Sequence, residues 1–270
     1  MDHRTAIDRI TDALHPHDAV RALFLSGSFG TGLADDYSDI DMTLVTTDGA
    51  TDATAALCRA AIEQVGPIVM WRDRVVRPAL INAITETWHR IDFVLLKPDQ
   101  VASHRRDSVK PLIDRIGLFD TLAAETPAAR PQASALAYQF DEFIRIFGLL
   151  PLVLGRQEYI NGVAGVFHLR NLLVDLMITE TGVKFRGGAL HVNRLLTEAQ
   201  KDVMLSLPPP DATRDSLIAA HLAYAEAYLP RARGLAAKWG IDWPSAFENA
   251  TWVHIESALD IIRPDWATAV

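Results

Sequence analysis

The stretch that most constrains the fold of this chain runs from Leu23 to Val45 and reads "LFLSGSFGTGLADDYSDIDMTLV". An apolar run closes at Gly27, a segment rich in Gly, Ser and Asp follows, and a second apolar run opens at Asp39. Short apolar runs separated by turn residues are typical of neighbouring buried strands. The stretch therefore predicts two strands of one sheet, joined by a polar turn that contains Gly30 and Gly32.

The first part of the chain mixes helical and strand patterns. Apolar spacing predicts helices over about residues 4–14 and 51–65. Three further strand candidates are "IVMWR", "ALINAIT" and "HRIDFVLLK". We therefore expect an α/β (α+β) domain with a small mixed sheet over residues 1–120.

The pattern changes after about residue 120, where "TPAARPQ" is typical of a linker. Helical periodicity then predicts helices over about 133–154, 157–181, 197–206, 212–239 and 245–262. The second domain, residues 121–270, is expected to be an all-α helical bundle.

Composition narrows the classes of partner. The formal net charge of −8 argues against nucleic acid, because phosphate contacts require a basic surface; it suits a cationic small molecule. No apolar run approaches the roughly 18–20 residues that span a bilayer, and the polar N-terminus is unlike a signal peptide, so no membrane partner is expected. Cys58 is the single cysteine, which excludes an internal disulfide and fits a cytoplasmic protein.

Asp39 and Asp41 carry the first chemical signal. Residues i and i+2 of a strand point to the same face, so the two carboxylates are expected side by side. Two like charges at that distance repel unless a cation lies between them. Mg²⁺ prefers oxygen ligands and usually keeps substrate phosphates in its shell, so the pair predicts a site for a nucleoside triphosphate.

Gly27 and Ser28 carry the second signal. A strand that ends in Gly-Ser offers backbone N–H groups and a hydroxyl in a tight turn, and such donor clusters bind phosphates. Glycine also allows a ligand to approach the backbone closely. We expect this pair to bind the triphosphate next to the aspartates.

Asp92 is the candidate for a third carboxylate, because it lies between Ile91 and Phe93 in an apolar strand. It could complete a metal site with Asp39 and Asp41, or act as general base on an acceptor hydroxyl. The sequence leaves these two roles open.

Together these residues carry a resemblance. Gly27-Ser28, ten residues, then Asp39-Ile40-Asp41 resembles the signature of the nucleotidyltransferase superfamily of DNA polymerase beta type, and Asp92 falls where that superfamily carries its third acid. With the helical second half, the chain resembles the two-domain nucleotidyltransferases that modify aminoglycoside or lincosamide antibiotics.

The resemblance implies a Mg²⁺-dependent enzyme that transfers a nucleoside monophosphate, AMP from ATP, to a hydroxyl of a small molecule and releases pyrophosphate. It implies that Asp39 and Asp41 hold the metal, that Asp92 is ligand or base, and that the helical domain binds the acceptor. Two alternatives stay open: transfer to a protein acceptor, as in antitoxin-like modifiers, and a catalytically silent binding module.

Overall fold

The computed structural model describes residues 1–74, 79–127, 130–187 and 191–268. The chain divides into two compact units, Met1–Pro127 and Ala128–Val270. The first unit combines a sheet with short helices, and the described part of the second is helical.

One sheet forms the centre of the first unit. Its described strands are β1 Val20–Leu25, β2 Ile40–Thr46, β3 Ile68–Arg74, β4 Ala79–Thr85, β5 Arg90–Leu96 and β6 Lys110–Asp114. The strand order is β3-β4-β5-β2-β1-β6. β2 and β5 are parallel, and the other neighbouring pairs are antiparallel. The predicted small mixed sheet is confirmed.

The helices of this unit are α1 His3–Leu14, α2 Gly27–Thr31, α3 Asp52–Glu63 and α4 Leu118–Thr121. Asp2 caps α1 by accepting a hydrogen bond from the Thr5 amide at 2.8 Å, and Thr51 caps α3 by accepting from the Thr54 amide at 3.1 Å. Both caps satisfy N–H groups that the first helical turn leaves unpaired.

The two faces of the sheet have different cores. Residues of α1 and α3 pack with one face, in a core that includes Ile10, Met42, Cys58 and Phe93. The opposite face has a smaller core, which includes Phe24. Because side chains alternate along a strand, the residues between the buried ones on β2 and β5 point to this second face.

The second unit consists of helices around one apolar core. They are α5 Ala133–Gly148, α6 Leu150–Gly155, α7 Tyr159–Thr181, α8 Val192–Leu195, α9 Glu198–Ser206, α10 Arg214–Trp239, α11 Ser245–Leu259 and α12 Asp265–Thr268. The rings of Phe143 and Tyr228 stack at 3.7 Å between centroids. The side chain of Glu248 is buried, pairs with Arg233 and accepts a hydrogen bond from Trp243 Nε1 at 2.7 Å. The predicted helical second half is confirmed.

The structure corrects the sequence expectations at three points. β1 ends at Leu25, and Gly27 begins α2, so the expected open turn is a short helix in which Gly30 is buried. Asp39 lies just before β2 rather than inside it. The single helix expected over 133–154 is two helices, because Pro151 has no N–H to continue the backbone ladder.

A fourth correction concerns the longest apolar helix. Among the described helices, α7 alone has the length and composition that would allow it to cross a bilayer, contrary to the expectation that no stretch comes close. Its residues Leu169, Leu173 and Met177 are buried in the core of the second unit. A core helix meets the same criteria of length and composition, so α7 alone does not indicate a membrane.

Candidate active site

The parallel pairing of β2 with β5 brings two distant acids together. Asp41 and Asp92 are register partners on these adjacent strands, and Asp39 immediately precedes β2. One carboxylate oxygen from each of the three acids lies within 4.8 Å of the others. The cluster lies on the sheet face opposite α1 and α3, at the N-terminal ends of the two strands.

Burial and repulsion oppose ionisation in this cluster. Burial raises the pKa of Asp41 to about 6, with further contributions from the charges of Asp39 and Asp92 and an opposing one from Arg90. Burial also raises the pKa of Asp92, while a hydrogen bond from the Asn82 side chain lowers it. A cation would remove this repulsion, and hard divalent ions prefer carboxylate oxygens. The residues present therefore fit Mg²⁺.

Arg90 is a basic group beside the acids. Its guanidinium lies 3.7 Å from Asp39 Oδ2 and donates a hydrogen bond to the Tyr37 carbonyl at 2.7 Å. It therefore ties the loop before β2 to the start of β5. Arg90 carries no chemical signal of its own in the sequence, although its position two residues before Asp92 places it on the same strand face.

Gly27 is required by the close approach of Asp41. Its φ is +53°, and a Cβ atom at this position would lie 1.9 Å from Asp41 Oδ2. The adjacent Ser26 amide donates to the Asp41 carbonyl at 2.9 Å. The start of α2 is thus fixed directly against Asp41.

Ser28 lies in the first turn of α2. Its Oγ is buried and has no hydrogen-bond partner among the described residues. Buried hydroxyls nearly always have a partner, so Ser28 Oγ is available for one further hydrogen bond. Gly30 holds α2 in place, since a Cβ there would lie 2.3 Å from the Ser108 carbonyl oxygen.

A second polar contact continues along β2. Thr43 lies on the same face as Asp41, and its Oγ1 is 3.3 Å from His104 Nε2 and 3.5 Å from Ser26 Oγ. Burial lowers the pKa of His104, which keeps the imidazole neutral near pH 7. This contact cannot be predicted from spacing, since His104 follows a short 3₁₀ turn, Pro98–Ser103, far along the chain from Thr43.

The other acids of the opening stretch have a local role. Asp35 Oδ1 accepts hydrogen bonds from the Tyr37 amide and from Ser38 Oγ, both at 3.0 Å. These bonds shape the turn before Asp39. Asp36 is exposed and is not among the clustered acids.

The comparisons with known proteins come from solved structures alone. No family model and no curated protein matches this sequence. An aminoglycoside 6-adenyltransferase from Bacillus subtilis is 13% identical, with 94% of this chain and 96% of that chain covered and a TM-score of 0.44. A nucleotidyltransferase-like protein from Exiguobacterium sibiricum 255-15 is 12% identical, with 95% and 89% covered and a TM-score of 0.38.

The chain aligns with these two structures along nearly its whole length. At these identities and TM-scores the likeness carries no argument about function, which has to come from the residues of the site.

Proposed function

We propose that this chain is a Mg²⁺-dependent nucleotidyltransferase that moves AMP from ATP to a hydroxyl of a small molecule. The observation that supports this most is the cluster of Asp39, Asp41 and Asp92, whose ligand oxygens lie within 4.8 Å of one another. Burial and the charges of Asp39 and Asp92 raise the pKa of Asp41, so a cation would stabilise the ionised cluster. Bound Mg²⁺ would serve as that cation and neutralise the phosphates.

In this proposal Asp92 serves both the metal site and the acceptor, and each of the other residues has one role. Asp39 and Asp41 hold the metal, with Asp92 completing the acidic set. Gly27 and Ser28 bind the triphosphate, because Gly27 allows the start of α2 to lie directly against Asp41 and the Ser28 hydroxyl lacks a partner among the described residues. Catalysis comes mainly from positioning and charge neutralisation.

The strand order supports placing the leaving group and the attacking hydroxyl on opposite sides of β2. β1, which leads into Gly27 and Ser28, lies on one side of β2, whereas β5 with Asp92 lies on the other. In phosphoryl transfer the attacking and leaving oxygens are roughly in line. We therefore place the leaving pyrophosphate over α2 and the attacking hydroxyl over β5. Asp92 is then the candidate base, and burial raises its pKa, as that role requires.

The reaction balances without a further reactant. The acceptor oxygen forms a bond to the α-phosphorus of ATP as the bond from that phosphorus to the bridging oxygen breaks. Pyrophosphate leaves, and the hydroxyl proton passes to Asp92. We propose an aminoglycoside or lincosamide antibiotic as acceptor, the helical unit as its binding domain, and the cytoplasm as the compartment; the net charge of −8 suits a cationic acceptor.

The test is incubation with Mg-ATP and a panel of aminoglycosides and lincosamides, read by mass spectrometry. A gain of one AMP on a panel member is expected. Asp41→Asn should abolish it, whereas the matched control Asp36→Asn, which changes an exposed acid of the same loop, should leave it intact.

Two results would overturn the proposal in different ways. AMP adducts on protein, with none on the panel, would favour the protein-acceptor alternative. Absence of any Mg²⁺-dependent shift in thermal stability with ATP would favour the silent binding module.

A further inference from the structure

We propose that Asn82 is a positioning residue of this site, which holds the Asp92 carboxylate in the orientation that the transfer needs. The inference rests on the proposed function. It assigns a role to a residue on β4 that has no part in the Gly-Ser or Asp-Ile-Asp signature.

The register of the sheet places Asn82 beside Asp92. The two residues are direct partners in the antiparallel pair of β4 and β5. Their neighbours Ile81 and Ala83 are buried in the core on the α1 and α3 face. Asn82 therefore points to the opposite face, where the acids lie, and directly paired residues on one face bring their Cβ atoms within about 4.5–5.5 Å.

Hydrogen-bonding chemistry fixes which end of the Asn82 amide meets the acid. An ionised carboxylate only accepts hydrogen bonds, so the NH₂ group must face Asp92. An NH₂ group that donates to one Asp92 oxygen would restrain rotation of the carboxylate and leave the other oxygen available for a cation or a proton.

The oxygen end of the Asn82 amide has no hydrogen bond to offset the cost of its burial. Asn82 Oδ1 is buried and has no partner among the described residues. A buried carbonyl oxygen without a partner destabilises a fold, and an apolar side chain of the same shape would avoid that cost. The flanking residues on this face of β4 are apolar, Leu80 and Ile84. Position 82 therefore carries a side chain that favours the acid cluster over stability.

The effect of an apolar isostere distinguishes a positioning role from a structural one. If the residue serves the structure, its replacement lowers the stability of the protein. If the residue orients Asp92, its replacement lowers metal affinity and turnover and leaves the stability of the protein unchanged or improved. Partners that orient metal ligands typically change affinity or activity by about 10- to 100-fold when removed.

The experiment compares the full-length protein with Asn82→Leu and with Thr46→Val. Thr46 is also buried on the sheet, but its hydroxyl donates to the Gly49 carbonyl at 3.0 Å, at the far end of β2. Mn²⁺ affinity is measured by calorimetry without nucleotide, thermal midpoints are measured in chelator, and kcat and KM are measured with Mg-ATP and the acceptor.

For Asn82→Leu we expect an equal or higher thermal midpoint, Mn²⁺ affinity weakened by about tenfold or more, and a fall in kcat that exceeds any rise in KM for ATP. Thr46→Val should show the reverse, with a lower midpoint and unchanged Mn²⁺ affinity.

The inference fails if Asn82→Leu lowers the midpoint while Mn²⁺ affinity and kcat match those of the wild type. That result leaves the proposed function standing. Absence of Mn²⁺ binding in the wild type would instead overturn the proposed function, and the role of Asn82 with it.

Discussion

At the scale of single residues, the contact between Gly27 and Asp41 leaves no room for a side chain at position 27. A side chain at position 27 would occupy the volume that Asp41 Oδ2 already fills, and the backbone there has a positive φ. Gly32, also at positive φ (+76°), has nothing within 4 Å of a Cβ atom at its position. A comparison of alanine substitutions at the two glycines therefore separates the effect of backbone strain from the effect of the clash with Asp41.

We predict that Gly27→Ala displaces the Asp41 carboxylate and lowers Mn²⁺ affinity and transferase activity by at least about tenfold. Gly32→Ala should lower the free energy of unfolding by about 1–2 kcal/mol, because alanine is strained in the left-handed backbone conformation, and it should bind Mn²⁺ normally. Calorimetric titration and urea unfolding measure both. Equal Mn²⁺ affinities in the two variants would show that the contact has no functional consequence.

Asp41 also makes stability depend on pH. Its folded pKa of about 6 lies above the ordinary 3.8, so the folded state holds the proton more tightly than the unfolded state. The stability that comes from this bound proton is fully present below the ordinary pKa of 3.8 and is lost as the pH rises through the folded-state pKa of about 6. We predict that in chelator the wild type loses stability between about pH 4 and pH 7, and that Asp41→Asn lacks this component.

At neutral pH, Asp41→Asn should be more stable than the metal-free wild type by roughly 1–2 kcal/mol, because a buried amide costs less desolvation than a buried carboxylate and is not repelled by Asp39 and Asp92. Thermal unfolding across pH measures the difference between the two proteins, which cancels the other titrating groups. A variant that is less stable than the wild type at neutral pH would contradict the strain assigned to the cluster.

The sequence predicted which acids meet but not what surrounds them. Asp39, Asp41 and Asp92 stand out because charges are rare in apolar strands. Asn82 and Arg90 give no such signal, since an amide or a basic residue in a half-exposed strand is ordinary. The relation of Asn82 to Asp92 follows from the register between β4 and β5, which spacing along the chain does not specify.

At the scale of secondary-structure elements, α7 contains a matched pair of glycines. A Cβ atom at Gly162 would lie 2.5 Å from Leu217 Cδ1 and 2.9 Å from Val153 Cγ1, whereas one at Gly165 would meet nothing within 4 Å. Gly162 therefore allows α7 to pack closely against neighbouring helices, and Gly165 has no comparable role in packing.

We predict opposite effects of alanine at the two positions. Gly165→Ala should stabilise the protein by about 0.5–1 kcal/mol, because alanine has the higher helix propensity. Gly162→Ala should destabilise it by roughly 1–3 kcal/mol through overpacking. Denaturant unfolding gives both values. Stabilisation by Gly162→Ala would mean that the helices can separate at little cost.

The elements that the sequence did not predict share a physical reason. β6 contains Pro111 and charged ends, which weaken any strand pattern, yet proline is tolerated because β6 is an edge strand that pairs only with β1. The helices α4, α8 and α12 each span one turn, too few residues to show a period. The longer helices and the internal strands, with clear periodicity, were predicted close to their observed bounds.

At the scale of the whole molecule, each unit has its own apolar core. A core of this kind in a segment of more than a hundred residues is enough for independent folding. We predict that residues 1–127 alone fold and bind Mn²⁺ with the affinity of the full chain. Amide dispersion in NMR spectra and calorimetry would show this; an unfolded fragment would mean that the sheet needs the helical unit.

The parallel pairing of β2 with β5 also sets the order in which the acid cluster can form. Asp41 and Asp92 are about fifty residues apart, so their contact closes a long loop and carries the entropy cost of that closure. In the unfolded chain the two charges are too distant to repel each other strongly, and their repulsion appears only when β5 pairs with β2. A cation that needs all three acids can therefore bind only after β5 has paired correctly with β2. Cofactor binding would then stabilise the fully folded sheet and no earlier state.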